Sequence, residues 1–240
     1  MNNTLMIYLG KRLRQRNNKY PTVNHQPGPV ICISREVGCG GLNIAQLLAT
    51  ELDIQGNCKK WRVISKEILE QNVLELNREP NLLRSYLSEK DKVFYDEILS
   101  AFSEKRLGSE LKKNQILIDL LSSFANDGHC IIVGRAAHII ALNIEKSLFI
   151  KLVAPYGWRT NKIMERNNLN RIEAIDFMEH TEIEQQNYIK QLAGENNNDV
   201  EFDLIINLSK MKTIEVIDLI KFAAQNKGLL ESVKSKVEVF

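Results

Sequence analysis

The sequence predicts an α/β fold: a parallel sheet of five strands with helices on both faces. Three observations carry that prediction. Short apolar runs alternate with longer segments of 3,4-spaced apolar residues from residue 30 to residue 225, which is the order of βα units. The runs lack polar alternation, as in "HCIIVG" at 129–134 and "SLFIKLVAP" at 147–155, and strands buried on both faces read that way. The first run also passes through a glycine cluster straight into a helical pattern, "ISREVGCGGLNIAQLLATEL" at 33–52.

The elements follow in order. Residues 4–17 read as a basic helix, and "YPTVNHQPGP" at 20–29 reads as a linker punctuated by Pro21, Pro27, Gly28 and Pro29. Val30 to Ser34 form the first strand. A helix from Gly41 to Leu52 buries Ile44, Leu47, Leu48 and Leu52 on one stripe. "WRVI" at 61–64 is a short second strand. Residues 65–127 are helical in pattern almost throughout, with Ser65 and Ser109 as starts. The third strand ends on Gly134 and the fourth is closed by Pro155. Helices at about 156–168 and 171–192, a polar loop at 194–199, a fifth strand at 202–209 and a closing helix at 213–225 complete the pattern. The expected organisation is a basic helix and linker (1–29), one α/β domain (30–226) and a frayed tail (227–240).

Composition narrows the function classes. A length of 240 residues with 44% apolar content suits one α/β domain with an insertion. Cys32, Cys39, Cys58 and Cys130 form no Cys-x-x-Cys pair, which argues for a reducing cytosol and against structural zinc. No apolar run approaches the roughly 18 residues that span a bilayer. The opening places its apolar residues before its charges, the reverse of a signal peptide, so a cytoplasmic location is expected and no membrane. Residues 1–35 hold six Lys or Arg and no acid, against a net charge of +2 for the whole chain. A basic arm can dock on an acidic partner; most simply it is a solvated helix face. Only Tyr8 and Tyr20 interleave the cluster, so a stacking platform for nucleic acid is not supported.

The glycine cluster carries the chemistry. A phosphate is held where successive backbone N–H groups face one concavity and the next helix presents its positive end. Gly38, Gly40 and Gly41 stand between a strand and a helix, where glycine lets the backbone curl and approach an anion. Val37, Gly38, Cys39, Gly40, Gly41, Leu42 and Asn43 are therefore the candidate phosphate-binding loop; an ordinary tight βα turn is the plainer alternative. The complete pattern, G-x-x-x-x-G-K-[ST], asks for lysine where this chain has Gly41. Asn43 could offer a carbonyl to Mg²⁺ in place of the usual hydroxyl. Amides around Cys39 would depress its thiol pKa, although a small residue filling a serine's place is the simpler account. His129 and His138 bracket the third strand as core or surface histidines.

"ISREVGCGG-NIA", "IIVGRAA-II", "KLVAP---R---IMERNNL" and "FDLIINLSKM" occur in the order and spacing of the cytidylate kinase-like family, which the chain resembles over about residues 30–222. The resemblance implies a P-loop kinase-like, three-layer α/β/α fold with a five-stranded parallel sheet. It further implies a helical acceptor-nucleotide insertion at 65–127 and a lid at 156–192. Glycine at the lysine position is similar to what members of this branch carry. The chain departs from the family's pattern at Leu42, at Ser65-Lys66-Glu67, at Ala136 after Gly134-Arg135, and at Ile183 and Gln185 before Tyr188. Residues 172–184 contain five acids and no Lys or Arg, and an acidic lid repels a triphosphate.

Four arginines stand at useful places. Arg135, at the carboxyl end of the third strand, and Ser65 are candidates for the acceptor phosphate, because ligands sit at that edge of such sheets. Arg159 and Arg166 lie two turns apart on one helix face and are the catalytic candidates; Arg35 could flank the anion. A nucleic-acid-associated protein that uses residues 11–19 is a third, weaker reading; two others stand ahead of it. One is a nucleoside-monophosphate kinase of the cytidylate type, using ATP with Mg²⁺. The other is a non-catalytic nucleotide or anion sensor on the same scaffold. The first 29 residues lie outside the resemblance and are candidates for homodimer contacts.

Overall fold

A computed structural model describes residues 27–55, 59–78, 110–134, 137–193 and 201–230. Most of the basic arm, Cys58, residues 79–109 of the insertion, Arg135, the loop at 194–199 and the tail from 231 lie outside the described residues. Five strands form one sheet: β1 (Val30–Arg35), β2 (Arg62–Ile64), β3 (Cys130–Val133), β4 (Ser147–Val153) and β5 (Leu204–Asn207). The helices among the described residues are α1 (Gly41–Gln55), α2 (Lys66–Arg78), α3 (Glu110–Asp127), α4 (Ala137–Ile140), α5 (Tyr156–Asn167), α6 (Arg171–Ala193) and α7 (Thr213–Asn226).

The strand order is β2-β3-β1-β4-β5, and every pairing is parallel. β1 is central, with Ile31 opposite both Ile131 and Leu148. Its alternate residues serve two cores, because successive strand side chains point to opposite faces. Ile31 and Ile33 pack with Ile44 and Leu48 of α1 and Val216 and Ile220 of α7. Val30 and Cys32 face the other layer, where Leu120, Leu121 and Phe124 of α3 and Ala137 of α4 are buried. This two-sided burial explains why the strands read as unbroken apolar runs. It also leaves the carboxyl ends of β1 and β3 together at one edge, where the order reverses and loops can meet a ligand.

Several boundaries differ from expectation. α1 runs to Gln55, three residues past Leu52. β5 is half the length of its apolar pattern. Before it, the Asp203 carboxylate takes the N–H of Phe149; after it, the Asn207 side chain accepts from the Ser209 N–H and hydroxyl, turning the chain. The one-turn helix α4 was not expected from "AAHII". β3 is bounded by His129 and Gly134, both at positive φ. No described helix is long and apolar enough to cross a membrane.

Candidate functional site

The glycine loop leaves the carboxyl end of β1, and φ is positive at Gly38 (94°) and Gly40 (62°) but not at Cys39. Alternation of this kind turns successive amides toward one side and makes an anion-binding nest. Two N–H groups are used internally: Cys39 donates to the Glu36 carbonyl at 3.2 Å, and Asn43 to the Gly40 carbonyl at 3.0 Å. The N–H groups of Val37, Gly38, Gly40, Gly41 and Leu42 have no hydrogen-bond partner among the described residues. Gly41 and Leu42 open α1, where the first N–H groups of any helix lack an intrahelical partner, so the loop and the helix start together offer donors at one place.

Three arginines surround the loop. A Cβ at Gly40 would lie 2.8 Å from Arg166 Nη2, so that guanidinium rests directly on the glycine. Arg35 lies on another side: a Cβ at Gly41 would meet its Cγ and Cδ at 3.3 Å, and one at Gly134 would run into its Nη1. Its side chain therefore reaches from the start of α1 to the end of β3. Arg159 behaves differently. It is buried, donates from Nε to the Ala154 carbonyl and from Nη1 to the Val37 carbonyl, each at 3.1 Å, and pairs with Glu36 and Glu182. Its Nη1 also contacts Met178 Sδ at 3.3 Å. The two catalytic candidates thus separate: Arg166 reaches the glycine loop, and Arg159 is engaged in protein contacts.

The α5–α6 pair is fixed to the loop by packing as well. Val37 is buried with Ile163 of α5 and with Ala174 and Met178 of α6. Gly38 sits against the backbone of α5, where a Cβ would meet the Arg159 carbonyl oxygen at 2.9 Å. Arg166 is on the last turn of α5, where the helix dipole favours a cation. The corner after it is doubly capped. Asn168 adopts the left-handed conformation (φ 54°) and its N–H bonds the Met164 carbonyl. The Asn170 side chain accepts the N–H groups of Ile172 and Glu173, whose carboxylate returns to the Asn170 N–H.

The acids of the lid helix have partners that a charge count does not show. Glu173 is this cap, Glu179 accepts the Tyr156 hydroxyl at 3.0 Å, Glu182 holds Arg159, and Glu184 lies 3.3 Å from His180 Nε2. Four of the five acids are thereby committed within the lid or to its clamp.

Other sequence candidates fall as follows. Asn43 is exposed on the first turn of α1. Leu42 is half-buried beside it. Ser65 is buried and caps α2, its hydroxyl accepting the Ile68 N–H at 3.2 Å and its carbonyl the Leu69 N–H. The Cys39 thiol is pushed up to about 11, first by burial and next by Glu36; desolvation of the thiolate outweighs the amides expected to stabilise it. No group of three or more His, Cys, Asp or Glu able to hold a metal occurs among the described residues. Sequence reading missed Glu36, Met178 and Glu182; an acid directly after Arg35 was the one available hint.

The profile of the cytidylate kinase-like family matches residues 30–210. The chain belongs to the cytidylate kinase-like family. No curated protein matches it. Among solved structures, an uncharacterised protein from Eubacterium ventriosum is 19% identical with a TM-score of 0.57, covering 82% of this chain and 98% of its own. TT1252 from Thermus thermophilus (13% identity, TM-score 0.42, covering 84% and 98%) and shikimate kinase from Bacteroides thetaiotaomicron (13%, 0.43, 82% and 98%) are more distant. This cytidylate kinase-like protein has the kinase-type fold of its family, with the glycine loop at the carboxyl edge of the sheet.

Proposed function

We propose that this protein is a phosphotransferase of the cytidylate kinase type. It holds the phosphates of ATP on the amides of Val37 to Leu42 and passes the γ-phosphoryl group to a nucleoside monophosphate, with cytidylate the first acceptor to test. The observation that carries the reading is Arg166 on Gly40. With glycine at the lysine position, a guanidinium from the lid end of α5 supplies a positive charge at the same loop. Phosphoryl transfer depends mainly on positioning and on charge placed where it develops, and this chain brings amides, Arg166 and Arg35 to one edge. Arg35, spanning from Gly41 to Gly134, lies toward the β3 end, beyond which Arg135 is the acceptor-phosphate candidate.

The donors present fit magnesium held chiefly by phosphate oxygens and water, since Asn43 offers one exposed carbonyl and no carboxylate cluster competes for the ion among the described residues. Magnesium bound with the triphosphate would neutralise charge on its β- and γ-oxygens.

The second reading, a nucleotide sensor without turnover, is favoured by the engagement of Arg159 in ion pairs, which leaves fewer cations for a transition state. A panel of triphosphates and monophosphates with magnesium, assayed for binding and for diphosphate formation, separates the two. The kinase reading expects Arg166→Ala to lower transfer on the order of 10³-fold. It expects Arg166→Lys to recover little, because an ammonium lacks the guanidinium fork. Nucleotide binding without diphosphate formation on any monophosphate would favour the sensor, and the absence of triphosphate binding would remove both.

A further inference from the structure

We infer that Arg159 and Glu182 form a clamp that positions Arg166 over the glycine loop, so that Glu182, an acid of the lid, sustains anion binding rather than opposing it. The inference rests on the phosphate-binding reading of that loop. Arg159 joins three other pieces of the chain at one guanidinium: Glu36 and the Val37 carbonyl from the loop, the Ala154 carbonyl after β4, and Glu182 with Met178 from α6. Glu36 is itself held, accepting the Ala154 N–H at 3.1 Å. Arg159 and Arg166 are seven residues apart on α5, two turns of a rigid rod, so the point fixed at Arg159 sets where Arg166 stands.

The chemistry makes Glu182 the partner that matters most for the clamp. The Arg159 side chain is 9% exposed, whereas those of Glu36 and Glu182 are 34% and 32% exposed. A buried guanidinium needs its charge matched and its donors filled. Glu36 reaches it from the strand side and could hold Arg159 without α6. Only Glu182 and Met178 bring the lid helix into the same contact. Without the Glu182 charge, the α5–α6 pair remains packed through Ile163, Ala174 and Met178 and Arg159 keeps Glu36, but α6 loses its ionic tie to Arg159 and the buried guanidinium is left with one carboxylate in place of two. Arg159 and Glu182 are therefore positioning residues, acting through Arg166.

The test is a double-mutant cycle on the full chain, with inorganic triphosphate as probe and calorimetric affinity as readout. Arg166→Ala should weaken binding roughly tenfold or more, the scale of one charge-assisted hydrogen bond. Glu182→Gln should weaken it several-fold in the wild-type background and have no further effect when Arg166 is already alanine. Glu182→Asp, which keeps the charge, should restore most of the loss and gives a second, milder variant should Gln impair folding. Equal losses from Glu182→Gln in both backgrounds, or no loss in the wild type, would overturn the clamp. So would triphosphate affinity indifferent to Arg166. Failure of the wild-type protein to bind triphosphate would instead strike the phosphate reading itself and take the clamp with it.

Discussion

Gly38→Ala and Gly40→Ala add the same methyl group two residues apart, and the structure gives the two additions different outcomes. Both glycines have positive φ, 94° and 62°, so each alanine carries a backbone strain of about 1–2 kcal/mol. At Gly38 the methyl meets backbone: the Arg159 carbonyl oxygen at 2.9 Å and Cα at 3.1 Å. Helix backbone does not step aside as a side-chain tip does, and overpacking adds about 1–3 kcal/mol. Gly38→Ala should therefore cost roughly 2–5 kcal/mol, a large part of the ~5–15 kcal/mol that holds a domain together. At Gly40 the methyl meets only the tip of Arg166, 2.8 Å away, and a flexible tip swings clear. Its stability cost should stay at about 1–2 kcal/mol, but the displaced guanidinium and the crowded amides should lower triphosphate affinity by about tenfold or more. Urea unfolding gives the first quantity and triphosphate titration the second. Equal stability losses at the two positions would refute the reasoning about backbone against side-chain tips. Wild-type affinity in Gly40→Ala would refute the placement of the anion.

Two pH dependences complete the set. Burial raises the thiols of Cys39 to about 11 and Cys130 to about 12 and lifts Cys32 well above its usual value. The folded state therefore keeps protons that the unfolded chain releases near pH 9, and stability is complete below that value. It should fall as pH rises from about 9 toward 11, by up to roughly 1.4 kcal/mol per pH unit for each thiol; a flat urea midpoint from pH 8.5 to 10.5 would contradict this. His138, buried against the edge of Phe202, has its pKa lowered by desolvation. Its contribution is present above the ordinary value of 6.5 and is lost as pH falls below it. Replacing it with Phe should flatten the decline in stability between pH 6.5 and 5, measured by urea unfolding; an unchanged slope would assign that decline to other groups.

The sheet was legible because β1 and β3 are buried on both faces, and such strands write themselves as apolar runs; β4 is buried on one face and half-buried on the other, where Lys151 interrupts its run. The glycine loop was legible because strand, glycines and helix lie consecutively. β5 was overestimated: Phe202 and Leu208 extend its apolar pattern, but the Asp203 and Asn207 side chains take backbone and hydroxyl donors at its ends. The Arg159 clamp was not legible, since Glu182 lies 23 residues away across a helix corner and a single cross-element ion pair leaves no periodic trace. The partners of the lid acids were hidden for the same reason. Counting charge along "IEAIDFMEHTEIE" says nothing of the Tyr156 hydroxyl, the Asn170 cap or the guanidinium that three of those carboxylates meet. Cys39 reversed its expected titration because burial, which sequence reports poorly in a loop, outweighed nearby amides.

The doubly capped corner at Asn168 and Asn170 has a kinetic consequence. With the backbone on both sides of residue 166 held by caps, the last turn of α5 has little freedom to hinge there. Adjustment of the guanidinium to an arriving anion then falls to torsions about its own side-chain bonds. Those rotations take picoseconds to nanoseconds, whereas domain closures take microseconds to milliseconds. A protein arranged this way would meet a bound anion at the pace of a rotamer rather than of a domain closure.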